Sequence, residues 1–487
     1  MLVWWPILSE SSVFIPAEYE LQRSQNRVKI LEEELRLVSR GGELAAHISG
    51  SFNLKSVQQL PNGAVTVNIV SQHPRTAEAM CQAGAQHVFH IGLYDISSGA
   101  PISAGLLAGC PAEEKALHAT VPGLWLTSAL PTRLQACAMV ELFNADGGQL
   151  NASDGTACRR LAIPLGARFG CINFTRSYSN GVGAQSHGSA RGGAPCRHAA
   201  SSTPGAWFKG PPLPGSRWPA FAWQPALCKL RSGGDTARIK VATHRWLRVL
   251  GDSVTHSLAS AIGQAFAPRW AFKGPSASEA DPGGGPPKWS CRCTKSGRCV
   301  SFEKFFDVWG SSALDIPSTP KRHGLTDFVA NMSNKAHTQL SPSVTYISLG
   351  SHDVMSGGDE TYAQRLHKGF RRFLQSAGAH AHVILATSTA WAVGSEVPAK
   401  FLKLGARCLA TNFRVQMRNQ VAAQAFLSAC ASTQVCQVID LFSPTLPWIH
   451  PDQGVYTRGD PVHFHGHLQA THKCHWADRL IADALLY

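Results

Sequence analysis

Two short segments carry residue types suited to nucleophilic catalysis: Gly251-Asp252-Ser253 and Asp460-Pro461-Val462-His463. A serine hydroxyl is a poor nucleophile at its ordinary pKa and needs a base to take its proton. His463 is the candidate base. Asp460, on the same turn, can hold the imidazole N–H, which selects the tautomer and stabilises the imidazolium. Such a set performs acyl transfer at an ester: Ser253 attacks the carbonyl and an acyl-enzyme forms. The tetrahedral oxyanion needs donors. Gly350-Ser351-His352-Asp353 can supply them, because Gly350 permits close backbone approach and His352 has a polar head. Asp252, beside the nucleophile, is a further candidate on the oxyanion and substrate side.

Other clusters suggest metals. His463, His465 and His467 would share one face of a strand, with His472, Cys474 and His475 nearby. No HExxH carboxylate accompanies them, and serine chemistry needs neither metal nor cofactor. Cys291, Cys293 and Cys299 are spaced CxCx5C, without the usual CxxC pairing or a clear fourth ligand. They read as a disulfide-tied surface insertion within the irregular stretch 273–299.

Ser253 and His463 are far apart in sequence, so a fold must bring them together. LRVL runs into the serine turn, and helix-favouring residues follow it. Strand-like VTYISL, HVILATSTAW and VCQVIDLF alternate with helical TYAQRLHKGFRRFLQSAG and CLATNFRVQMRNQVAAQAFLSA. A terminal helix is expected near HWADRLIADALL. Alternation with buried-type strands predicts an α/β domain, a parallel sheet between helices. Its chemistry is expected at the carboxyl ends of the strands. Ser253 and the 350–353 loop both fall there.

The preceding region has another texture. AVTVNIV, HVFHIGLYDI, LHATV and ACAMVELF are short β-type runs, punctuated by Pro61-Asn62-Gly63 and Asp146-Gly147-Gly148. They predict an antiparallel β-sandwich of the immunoglobulin or filamin kind over 45–174. Residues 1–44 hold a helical stem, with Leu21, Val28, Leu31, Leu35 and Leu37 as a loose apolar stripe. It is either a short coiled coil or a solitary solvated helix. Residues 175–205, rich in Gly, Ser, Ala and Arg, read as a flexible linker, and 206–487 as the catalytic domain.

The chain of 487 residues is 44% hydrophobic and 16% charged, enough to bury a large core. Its 45 Lys plus Arg against 31 Asp plus Glu give a formal charge of +14. No long basic run, zinc finger or RNA-binding signature accompanies that excess, so nucleic acid is not the expected partner. A diffusely basic surface or an acidic glycan partner remains. Fourteen cysteines fit disulfides of a secretory compartment, and sequons at Asn151, Asn173 and Asn331 agree. Met1–Leu8 is apolar but too short to span a membrane and lacks a signal peptide's charged flank. The chain is therefore either cytosolic or begins inside or just after a lost signal or membrane anchor; the cysteines favour the second, in the Golgi lumen or outside the cell.

The Gly251-Asp252-Ser253 block, the Gly350-to-Asp353 block and the Asp460-to-His463 block occur in the order seen in the SGNH/GDSL hydrolase superfamily. Trp223-Gln224-Pro225 with Cys228 resembles the approach segment of its PC-esterase group. That group includes plant glycan O-acetyltransferases and animal neurexophilin-and-PC-esterase proteins, whose layout of sandwich followed by esterase is similar. The resemblance implies a three-layer α/β/α domain, with Ser253 as nucleophile, His463 as base and Asp460 as its orienting acid. Gly350 and His352 would complete the oxyanion site. His256 stands where plant members usually carry arginine, leaving hydrolase and transferase both open. Gly310, in FDVWGSS, is the stand-in for the superfamily's second-block donor glycine. The implied activity is O-acetyl transfer or O-acetyl ester hydrolysis on a glycan, with the acyl donor unspecified. The alternative is a non-catalytic secreted binding protein with a degenerate esterase domain.

Overall fold

The computed structural model describes residues 52–72, 85–109, 117–126, 130–144, 167–175, 205–212, 219–225, 246–252, 254–255, 289–293, 299–304, 342–349, 359–391, 411–449 and 462. The expected stem, the linker, the Asp146 turn and the terminal helix lie outside them.

Seven strands form two antiparallel sheets: β1 (Phe52–Gln59), β2 (Ala64–Ser71), β3 (Ala85–Asp95), β4 (Pro101–Gly109), β5 (Leu117–Trp125), β6 (Arg133–Asn144) and β7 (Ala167–Thr175). One sheet has the order β1-β2-β5 and the other β4-β3-β6-β7. The Pro61-Asn62-Gly63 turn closes the first hairpin, with Gly63 N–H donating to the Leu60 carbonyl and Ala64 N–H to Asn62 Oδ1. Phe89, Ile91 and Leu93 of β3 and Leu134, Ala136, Ala138 and Val140 of β6 face one side at period two. They meet Val65, Val67 and Ile69 of β2 in a shared core. The disulfide Cys137–Cys171 links β6 to β7. Asn173 of the second sequon is exposed on β7 and accepts from Gln135.

The larger sheet buries its other face as well. Val88, Ala104, Leu106 and Met139 point away from the sandwich core and join Ala390, Trp391, Val415, Phe442, Leu446 and Val462 of the C-terminal region. This explains why PISAGLLAG carries no strand-like alternation: a strand covered on both faces has no polar side. A register shift at Leu93/Tyr94 turns Ile102 into the sandwich core although its neighbours at the same parity face outward. Leu106→Ala is expected to lower unfolding free energy by about 2–5 kcal/mol, measured in urea. A change within a few tenths of a kcal/mol would mean that this face is not packed.

His87 sits in the sandwich core, edge-on to Phe52 and stacked on Phe89. Burial lowers its pKa from 6.5 to about 4. The native state therefore keeps His87 neutral, whereas the unfolded chain takes up a proton below pH 6.5. Its contribution is complete above that pH and is lost as pH falls toward 4, to a total of about 3 kcal/mol. Stability measured from pH 7 to 4 should fall less steeply in His87→Leu than in wild type; equal slopes would contradict the assignment.

Next come a hairpin, β8 (Gly205–Pro212) and β9 (Pro219–Pro225), and then a six-stranded sheet. The latter comprises β10 (Trp246–Gly251), β11 (Trp289–Cys293), β12 (Cys299–Lys304), β13 (Val344–Ser348), β14 (His382–Ala386) and β15 (Val435–Ile439). The order is β11-β12-β10-β13-β14-β15, parallel except for the edge strand β11. Cys291, Cys293 and Cys299 thus lie on paired strands of the sheet rather than on an irregular surface insertion, with Cys293 opposite Cys299. Helices α1 (Asp359–Ala377) and α2 (Asn412–Ala429) pack on one face through Leu366, Phe370, Phe373, Ala423 and Phe426 against Leu250, Ile347, Leu385 and Val438. Gly378, at φ 95°, ends α1 in the left-handed conformation that glycine tolerates best. Val249, Tyr346 and Ile384, on the opposite face, are equally buried. A short helix α3 (Phe442–Thr445) and a 3-10 turn (Leu446–Trp448) follow β15. No described helix is long and apolar enough to cross a membrane.

Candidate active site

Strand β10 precedes β12 and β13 in sequence yet lies between them, so the chain leaves it first to one side and then to the other. At such a switch point the loops after the two strands diverge and leave a crevice at their carboxyl ends. β10 ends at Gly251-Asp252, and β13, its immediate neighbour, leads through Leu349 toward Gly350.

The turn after β10 is held by its own side chains. Asp252 is buried, and its Oδ1 accepts from Val254 N–H at 2.9 Å and Thr255 N–H at 3.2 Å, with Thr255 Oγ1 at 3.4 Å. The carboxylate therefore secures the first turn after the strand. A Cβ at Gly251 would collide with the Thr255 side chain, so only glycine lets the strand meet the turn this closely. Asp440 repeats the device after β15, accepting from Phe442 N–H at 2.9 Å and Ser443 N–H at 3.2 Å.

Between these turns runs Thr387–Trp391, the extension of β14. Asn419 of α2 grips Ser388 at both backbone groups: Oδ1 accepts its N–H and Nδ2 donates to its carbonyl, each at 2.9 Å. Asn412 does the same for Trp391, at 2.7 and 3.0 Å. Ser388 Oγ in turn donates to the Leu349 carbonyl, one residue before Gly350. The helix thus fixes the exit of β14, and that exit fixes the exit of β13. None of these residues was singled out from sequence. Two asparagines seven apart on a helix resemble ordinary polar surface until the segment they bind is known.

Ser253, Gly310, Gly350, His352, Asp460 and His463 lie outside the described residues, as do the histidines of the metal alternative. Among described residues no group of three His, Cys, Asp or Glu could hold a metal ion. The flanks are informative. Val254, next to Ser253, packs against the same apolar cluster that contains Val462, next to His463. The tryptophan of the approach segment, Trp223, is buried against Trp207, whose Nε1 donates to the Pro444 carbonyl at 2.8 Å. The hairpin is thereby tied to the segment after β15. A separate cavity of about 430 Å³ lies at the sandwich end, between Asp95, Ser98, Leu130, Thr132 and Phe208.

The second bonded cysteine pair among the described residues, Cys430–Cys436, closes the connection from α2 to β15. In comparisons with known proteins, no family model matches the chain and no curated protein matches it.

Proposed function

We propose that the C-terminal region is a serine-dependent catalyst of acetyl-ester chemistry on glycans, an O-acetylesterase or O-acetyltransferase of the SGNH kind. The observation that carries this reading is the convergence of Val254 and Val462 in one cluster at the carboxyl edge of a parallel sheet. Two segments distant in sequence, each flanking a member of the proposed Ser/His pair, border one apolar cluster, which supports placing the pair at the strand ends where α/β sheets carry their chemistry.

In this mechanism His463 removes the Ser253 proton as Oγ attacks the acetyl carbonyl, and Asp460 orients the imidazole. The Val254 and Thr255 amides are already bonded to Asp252. The oxyanion donors are therefore the Ser253 amide and the loop that begins at Gly350, with Gly310 as a third candidate. Asp252 serves by shaping the turn. The imidazolium returns its proton to the departing sugar oxygen, leaving an acetyl-serine. Water or a second sugar hydroxyl then attacks, giving hydrolysis or transfer respectively.

A fluorophosphonate probe tests the activated serine directly, since only a serine with a working base reacts. Labelling should map to Ser253 and be lost on heat denaturation. Absence of labelling in folded protein would sink the enzymatic reading and favour a secreted binding protein. With acetylated glycan as substrate, the ratio of free to transferred acetate separates the two activities.

A further inference from the structure

After its first turn, which begins Asp359-Glu360, the exposed charged residues of α1 are all basic. Tyr362, Leu366, Phe370 and Phe373 turn inward and are buried, while Arg365, His367, Lys368, Arg371 and Arg372 are exposed. No acidic residue occurs between 361 and 377. The two described Lys or Arg residues beyond the helix up to Ile439, Arg414 and Arg418, are buried, so the exposed positive charge is that of α1. On neighbouring α2 the exposed positions Gln420, Gln424, Leu427 and Ser428 are uncharged. Like charges three or four apart on a helix repel by about 0.2–0.5 kcal/mol per pair, and alternating signs would have relieved this. The four exposed Lys and Arg side chains of α1 thus face outward together along two turns of one helix.

Its position gives the patch a use. β13 and β14 are parallel, so α1 must carry the chain back from the carboxyl edge of the sheet, starting with Asp359 and Glu360 and continuing into the basic stretch. Arg365 to Arg372 then forms a basic track about 10 Å long leading away from that edge.

We propose that this face of α1 is a docking surface for an extended acidic polysaccharide, sulfated or uronate-bearing, whose acetylated portion reaches the strand edge. The proposal rests on the glycan reading above and assigns it a substrate class and a binding track. Regularly spaced anions match a row of guanidinium and ammonium groups, and arginine forks suit sulfate and carboxylate. The outward positions of α1 carry no apolar side chain to insert into a bilayer, which disfavours a membrane surface. The bonded pairs Cys137–Cys171 and Cys430–Cys436 point to an oxidising compartment, where the abundant polyanions are glycans rather than nucleic acids.

The test is equilibrium binding of the full chain carrying Ser253→Ala, so that no turnover interferes. Ligands are heparin, chondroitin sulfate, neutral dextran, and vesicles containing phosphatidylserine. The quadruple variant R365Q/K368Q/R371Q/R372Q is compared with a sandwich control, K55Q/R133Q, and the double variant R371Q/R372Q serves if the quadruple melts early. Expected are binding to the sulfated chains and none to dextran. The α1 variant should bind about tenfold or more weakly with a shallower salt dependence, and the control should be unchanged. Equal losses in both variants, no preference for acidic chains, or tighter binding to vesicles would each overturn the proposal. Failure of the enzymatic reading shows separately, as absent fluorophosphonate labelling of wild type.

Discussion

Ser253→Ala is expected to abolish acetyl release and transfer, with kcat falling on the order of 10⁴-fold or more. The size of the effect follows from the division of labour. On the proposed function the oxyanion donors and the glycan contacts would survive the substitution, so KM should move little. The covalent step has no substitute, because neither Asp252 nor Thr255 is free to replace the hydroxyl: the Asp252 carboxylate is bonded to two backbone amides and to the Thr255 side chain. A coupled assay on acetylated polysaccharide, with thermal melting to verify the fold, measures this. His463→Ala should fall into the same range, and the double variant should be scarcely worse than either alone, since the two act as a unit. Loss of less than tenfold in Ser253→Ala would remove the serine from the mechanism.

Asn419→Leu should produce the largest stability loss of any single polar substitution around the site, about 2–5 kcal/mol. Its side chain meets both backbone groups of buried Ser388, and leucine leaves a donor and an acceptor with no partner and no access to water. The effect should also be directional. Ser388 Oγ is bonded to the Leu349 carbonyl, so hydrogen exchange should quicken at 387–391 and at 347–349 before it changes in the sandwich. Urea unfolding gives the magnitude and exchange gives the location. A loss under 1 kcal/mol, or uniform loosening, would show that Asn419 does not hold these strand ends.

Much of the C-terminal architecture was legible. Val344–Ser348, His382–Ala386 and Val435–Ile439 lie within runs that read as strands, and Trp246–Gly251 overlaps LRVL; α2 lies within a run that reads as a helix, and α1 starts two residues before its run. Buried parallel strands leave a strong trace, being continuous in β-branched and aliphatic residues. The start of α2 was legible only approximately. Thr411, whose side chain accepts from Arg414 N–H, sets it at Asn412, inside a longer helix-favouring run. In the sandwich, β2, β3 and β6 showed clearly, whereas β1, β4 and β7 did not. β4 is covered on both faces, and β1 carries polar residues at several half-buried positions.

What the sequence determined by itself was local: the strand–helix alternation, the glycine and aspartate that turn the chain after β10, the hairpin turn at Asn62-Gly63, and the candidates Ser253, Asp460 and His463. These follow from residue conformational preference and from side chains that bond to backbone two or three residues away. What only the tertiary structure decided was adjacency. The strand order places β13 beside β10, α2 spends two asparagines on a distant segment, and the sandwich lays a second apolar face against the cluster of Val254 and Val462. Such pairings depend on which surfaces exclude water together, and no window of sequence contains both partners.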